Sequence, residues 1–500
     1  MELREQSLFK NVPAVSLGPT VMSARIVDVD VNPANTNEFY VAYASGGVWR
    51  TTNSGTSFTP VFEDQPVMTI GDIAVDWKTH TVYVGTGEKN SSRSSYSGTG
   101  IYASSDTGRT WQHLGLGEIH RTGRIILDKY NPGTLFVAAL GHLYSPNKER
   151  GIYKSADGGK NWKHVLMIDE NTGGIDIIQD NGNPDVLYAA MWYRTRRAWD
   201  FEESGKTSGI YKSTDRGETW KKLNDNKNGF PDNEGVGRIG LSMMPGNSNV
   251  IYAILDNQNR RKDTKPEPLT LTKNMLRTMS KEDFLKKSDE EINQYLDYYG
   301  FPDEYSAAKI KKAVEKDEYK PAALVEYLED GNAMLFDTPV IGAEIYKSTN
   351  AGAAWTRTHE KPIEDFVYSY GYYFGEMNVD PNDENTLYVL GVPILKSTDG
   401  GKSFFSIQKE NAHVDHHILW VNPNNSKHLI NGNDGGLNIS YDGGETWVLC
   451  NTPAVGQFYT VSVDNAEPYN VYGGLQDNGV WYGPSNYRAG VSWHISGEYP

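Results

Sequence analysis

His413, Asp415, His416 and His417 fall together in the stretch NAHVDHHILW. Imidazoles and carboxylates at this density, with Asp434 and Asp477 further on, supply the nitrogen and oxygen donors of a divalent metal site. The candidate ligands are His413, His416 and Asp434. Adjacent residues of a strand point to opposite faces, so His416 and His417 cannot both face one ion; hydrogen bonding between neighbouring strands is the plainer reading. Glu88, in VYVGTGEKN, would form a carboxylate pair with Asp434 or Asp477, the chemistry of glycoside cleavage. The candidate acids are therefore Glu88, Asp415, Asp434 and Asp477. Arg25, Arg124 and Arg238 carry planar guanidinium groups able to hold a ligand carboxylate. Each also opens a strand-like segment in the same way, which favours a structural role. The run Tyr368–Tyr373 offers rings for stacking on a sugar or peptide, or for packing.

The elements that must position these residues are set by a repeated box, Ser/Thr-x-Asp/Asn-x-Gly-x-x-Trp/Phe. It occurs seven times, with Asn53, Asp106, Asp157, Asp215, Asn350, Asp399 and Asp442 at its third position. Around each box lie four short segments of alternating apolar residues bounded by Gly, Asn and Pro turns, as in RIVDVDVN, EFYVAYAS, GVWRTTN and TSFTPVF. Four short strands per repeat predict an all-β fold, a β-propeller of about seven to eight four-stranded blades. The box is the hairpin between the third and fourth strands. Its Asx accepts backbone N–H groups, its Gly supplies positive φ, and its aromatic residue packs between blades. Seven equivalent turns cannot all line one active site, so the boxes are structural.

Residues 23–450 hold the seven box-bearing blades. The interval from Asp215 to Asn350 is 135 residues, far longer than the others. The excess, 258–338, reads as a small helical insert between the second and third strands of blade five. A helix is expected from Ser280 to Gly300, opened by Ser280-x-x-Asp283, with two shorter ones after it. Residues 457–497 form an eighth blade-like unit without a box, which either closes the ring or begins a second propeller.

In such a blade, the loop after strand two and the loop entering strand one share a face, opposite the boxes. That face gathers Arg25, Arg124, His142, Arg194, Trp199, Tyr370, Tyr373, His416, Asn433, Gln476 and Asn478 as candidate ligand contacts. The helical insert leaves from the same face and is expected to act as a lid.

The 500 residues carry a formal charge of −16, which argues against nucleic acid or an anionic membrane as a partner. One cysteine, Cys450, excludes an internal disulfide framework and a cysteine zinc site. No run of about 18 apolar residues is present, so no transmembrane helix is expected. No cofactor is indicated. The N-terminus lacks the apolar core of a signal peptide, and the strand-like C-terminal segment suits a longer parent chain.

The seven boxes resemble the BNR/Asp-box repeats of sialidases, sortilins and tandem-propeller xyloglucanases. The segments ASGGVWRTTNSG, HVDHHILWVNP, NGNDGGLNISYDGGETW and GGLQDNGVWYGPS look like those of sortilin-like (VPS10-like) bacterial propellers labelled glycosyl hydrolase, BNR repeat. This resemblance implies an exported protein with a further set of propeller repeats, and no catalytic residue carries over from it. The Arg-Ile-Pro segment of sialidases is missing before the first box. The expected function is binding of a peptide, protein or glycan on the channel face without catalysis. The alternative is a glycoside hydrolase acting on a polysaccharide.

Overall fold

The computed structural model describes residues 8, 17–18, 24–90, 96–261, 269–302, 304–328, 339–450, 452–475, 478–486 and 494–497. They divide into two compact units, Asn259–Ile341 and the rest of the chain. The larger unit is all-β. Among the described residues it contains eight four-stranded antiparallel sheets, each with its strands in chain order, and one separate hairpin, Thr195–Arg197 with Asp200–Glu202.

The first strands of the sheets are Ile26–Val31, Ile70–Asp76, Thr122–Leu127, Thr172–Gln179, Val236–Met243, Glu376–Asp380, His416–Val421 and Phe458–Val463. Neighbours pack in sequence from the first sheet to the seventh, and the seventh packs against the first. One apolar cluster carries this last join: Ile26, Phe39 and Tyr43 of sheet one with Ile418, Ile430, Ile439 and Cys450 of sheet seven. Polar side chains stitch several of the other joins. Asp28 accepts the Ile73 N–H at 3.0 Å, Asp72 that of Ile125 at 2.7 Å, and Asp176 that of Leu241 at 2.9 Å. Such bonds let a buried carboxylate satisfy a strand edge.

The boxes do what their residue types require. In STDRGETW the Ser213 hydroxyl donates to Asp215 and accepts the Gly217 N–H, while Asp215 accepts the Thr219 N–H at 2.9 Å. Arg216 and Gly217 both take positive φ, 57° and 77°. The box glycine then packs against the preceding sheet. A Cβ at Gly108 would lie 2.6 Å from Val61, one at Gly159 2.6 Å from Leu114, and one at Gly444 2.7 Å from Ile407. Gly55, in the first box, meets Cys450 of sheet seven in the same way, at 2.7 Å. The indole N–H groups of Trp111, Trp162 and Trp447 donate to Val61, Leu114 and Ile407 of the preceding sheets.

Among its described residues the smaller unit has five helices, Lys273–Thr278, Lys281–Leu285, Asp289–Tyr298, Ala307–Glu315 and Ala323–Glu326, around Leu276, Phe284, Ile292, Tyr295, Ile310 and Leu324. The single helix expected from Ser280 to Gly300 is two. Ser288 restarts it, with its side chain accepting from Glu291 N while Glu291 caps back on Ser288, a reciprocal box that favours a new helix start over a continuous turn. Gly300 follows with φ of 66°.

The eighth sheet differs from the other seven. Tyr459, Val461 and Val463 of its first strand are more than half exposed, whereas the same strands of sheets one and two are mostly buried.

Candidate functional site

The first strands of sheets one and three to seven line a cavity of about 460 Å³, with Asp28, Arg124, Asp176 and Glu376 on its wall. At the end of these strands opposite the boxes lies a buried ionic network. Arg25 precedes strand one of sheet one, and Glu88 and Asp434 follow strand two of sheets two and seven; the three meet because those loops share a face. Arg25 bonds Glu88, and its Nε donates to Asp434 Oδ1 at 3.0 Å. His417 Nε2 reaches the same oxygen at 2.8 Å, and the Tyr373 hydroxyl donates to Asp434 Oδ2 at 3.3 Å. The Arg25 guanidinium also lies over the Tyr373 ring, 4.7 Å from its centroid.

Burial works against every charge here, so the partners decide the ionisation. Asp434 and Glu88 outweigh burial and hold Arg25 firmly protonated. Burial would raise Asp434, but Arg25 and His417 hold it well below the usual carboxylate range. Burial lowers His417. Its neutral ring then donates from Nε2 to Asp434 and accepts at Nδ1 from Asn90, 3.3 Å away. Asn90 in turn accepts from Arg238 at 2.8 Å.

A second group lies along the strands. Glu376 takes both oxygens to Arg124 Nη2, at 3.0 and 2.8 Å, and Arg124 Nε donates to Asp176 at 3.0 Å. Lys89, fully buried, stands 3.3 Å from both Asp72 and Glu376. Burial would raise Glu376, yet Arg124, Lys89 and Arg238 bring it to about 2.

Several expected residues are thus brought together, in roles their types alone did not specify. Arg25 and Arg124 already hold protein carboxylates, so neither offers its charge to a ligand. Glu88 and Asp434 share one arginine. His416 uses both ring nitrogens, Nδ1 on Asn431 at 2.7 Å and Nε2 on Gln408, and burial drops it to about 3. His413 bonds the Val414 carbonyl instead. His413, His416 and Asp434 therefore share no common centre. Asp415, at φ of 65°, meets Asp434 through its backbone carbonyl. Asn433 bonds Asn438 and Asn431 within sheet seven. Tyr370 and Tyr373 pack in the core between sheets five and six. Asn478 lines a small void with Arg25 and Asp434. Gln476 and Asp477 lie outside the described residues. Trp199, at the hairpin tip, is 82% exposed. His142 stacks on His120.

Arg194 is the exception to the pairing. It follows strand two of sheet four, is 1% exposed, and its Nε, Nη1 and Nη2 have no hydrogen-bond partner among the described residues. Its guanidinium lies over Trp192, 4.9 Å from the ring centroid. Burial pushes its pKa well down, and Arg121, Arg150 and Arg238 add to the shift. Arg150 Nη1 donates to the Arg194 carbonyl at 3.0 Å and its Nη2 to the His142 carbonyl at 2.7 Å. Lys89, Arg121, Arg150, Glu203, Asp256 and Glu376 were not singled out from the sequence. Lys89 and Asn90 directly follow Glu88, and their position was the one signal available. Glu203, half-buried, and Asp256, buried, are a second pair of acids that act on each other electrostatically. Burial raises Glu203 well above its usual range, with Asp256 adding to it. Burial takes Asp256 to about 7 against donation from Gln258.

This geometry belongs to a propeller-type fold, and comparison with known proteins agrees. Residues 99–325 match the family model described as Sortilin, neurotensin receptor 3. The match covers a little under half of the chain and agrees with the resemblance read from its boxes. Among solved structures, the GH74 xyloglucanase from Xanthomonas campestris is similar at a TM-score of 0.56 and 15% identity, covering 92% of this chain and 59% of that one. An ancestral GH74 enzyme covers 96% of this chain and 63% of its own at 14% identity, with a TM-score of 0.45. A structure of YCF48 bound to D1 peptide covers 84% and 94% at 11% identity, also at 0.45. The chain thus spans less than two thirds of the GH74 enzymes. No curated protein matches.

Proposed function

We propose that the protein binds a carboxylate-bearing peptide, protein or acidic glycan on the face opposite the boxes, and does not catalyse its conversion. The observation that carries this reading is Arg194. A buried guanidinium without an acceptor is costly, and three further arginines around it raise the cost. An anionic group from a ligand would offset it through charge-assisted hydrogen bonds. The exposed Trp199, five residues on, suits stacking beside such a group. In this reading the seven box-bearing sheets close one ring, the eighth sheet stands outside it, and the protein works outside the cytoplasm. Cell fractionation checks the address.

The test uses a panel of peptides with free or amidated C-termini, together with neutral and uronic-acid oligosaccharides. Carboxylate-bearing members are expected to bind, and R194M to weaken them about ten- to hundred-fold. Because R194M also removes an unpaired buried charge, its melting temperature should stay level or rise. Equal binding of amidated and free forms, or unchanged affinity in R194M, overturns the reading.

A glycoside hydrolase remains the second reading, favoured by the Glu203 and Asp256 group. A carboxyl that is still protonated near pH 7 is what a general acid requires. Turnover of a polysaccharide that is lost in D256N would establish it.

A further inference from the structure

Away from the ionic network, the loops of sheet three bring Glu118, His120 and His142 together. Glu118 sits in the 3-10 turn Gly117–Ile119, and His120 follows it directly at φ of 52°. His142 comes just after the second strand, Leu135–Ala139. The two histidines meet because their strands pair, with Ala139 opposite Thr122 and the Leu140 N–H donating to the Arg121 carbonyl. Their rings stack at a centroid distance of 3.8 Å and an interplanar angle of 25°. One ligand atom from each of the three residues lies within 4.8 Å of the others.

We propose that Glu118, His120 and His142 form a binding site for a zinc-type divalent cation, with a coordination position left for solvent or a ligand group. Two imidazoles and a carboxylate match the preference of zinc for nitrogen and oxygen donors, and a three-residue set leaves the fourth tetrahedral position open. The second observation is the state of His142. Its Nδ1 lies 2.9 Å from the Ser145 hydroxyl, while its Nε2 is buried without a hydrogen-bond partner among the described residues. A proton on Nδ1 donated to Ser145 leaves a lone pair on Nε2. That is the arrangement in which a neighbouring group fixes the tautomer of a metal-binding histidine. Arg121 and Arg150, close by, work against a cation, and the Glu118 carboxylate works for it.

The site is tested by titrating the chelator-treated full chain with Zn²⁺ in a calorimeter, and with Co²⁺ followed by visible absorption. One equivalent is expected to bind saturably, and Co²⁺ to give the intense bands of four-coordination. H142F retains a ring to stack on His120 but has no donor atom, and should weaken binding at least tenfold while remaining folded by circular dichroism. S145A keeps the ligands but releases the tautomer, and should cause a smaller loss. Absence of saturable binding, or a folded H142F that binds Zn²⁺ like the unaltered chain, overturns the proposal.

Discussion

Asp30 and Asp256 show how burial, rather than residue type, decides what a carboxylate does. Burial takes Asp30 to about 7 although Trp77 and Val75 donate to it, and Asp256 goes to about the same value. Both ionise near 3.9 when unfolded. Between pH 4 and 7 the folded chain therefore binds more protons than the unfolded one. Their stabilisation is present below about pH 4 and is lost as pH rises to about 7. Glu376, at about 2, acts the other way, as do the box residues Asp106, Asp157, Asp215 and Asp442, held near 2 by hydrogen bonds from Thr110, Asn161, Thr219 and Thr446. Their contribution is present above about pH 4 and is lost as pH falls towards 2. Buried histidines such as His416, taken to about 3, act in the opposite direction below about pH 6.5, so the test is differential. D256N should gain melting temperature relative to the unaltered chain more at pH 7.5 than at pH 5, and a difference between the two proteins that is the same at both pH values would refute the assignment. None of this was legible in the sequence, where Asp30 and Asp256 are ordinary strand residues. Glu88 and Asp434 could be placed on one face and paired, but Arg25 could not be set between them, because it lies 409 residues from Asp434 in the chain.

At the level of elements, the box was readable because its chemistry is local. A Ser or Thr hydroxyl, an Asx side-chain oxygen and a Gly within five residues specify one turn whatever the rest of the chain does. The break at Ser288 is equally local, yet the helical pattern of 280–300 hid it, since a capping box inside an amphipathic run looks like continuous helix. What the box glycine does is not local, because its contact belongs to another sheet. Gly55 makes this testable. Alanine there needs a left-handed backbone at φ of 75° and places a methyl 2.7 Å from Cys450 Sγ. G55A should cost about 2–4 kcal/mol. G246A, at φ of 80° with nothing within 4 Å, should cost only about 1–2 kcal/mol. Chemical denaturation of both variants measures the difference, and equal losses would mean that the join between sheets seven and one contributes nothing.

At the level of the whole molecule, the repeat spacing indicates four strands per unit but leaves open which unit meets the first. Packing of apolar side chains answers that, and it is written in no single stretch. Sheet one is packed against sheet seven, and the eighth sheet leaves Tyr459, Val461 and Val463 exposed. Removal of residues 452–500 should therefore leave a cooperative unfolding transition. A truncated chain that shows no sharp transition would assign the eighth sheet an essential role in the fold. Joins between consecutive sheets are backed by a continuous backbone. The join between sheets seven and one has no covalent connection across it, only side chains such as Ile26, Tyr43 and Ile439 around Cys450. Force applied at Ala24 and Cys450 would load that seam directly, with no peptide bond across it to share the load. The thiol of Cys450, buried and with its pKa pushed up to about 11, sits in the seam as a chemically silent group that reacts only once it opens.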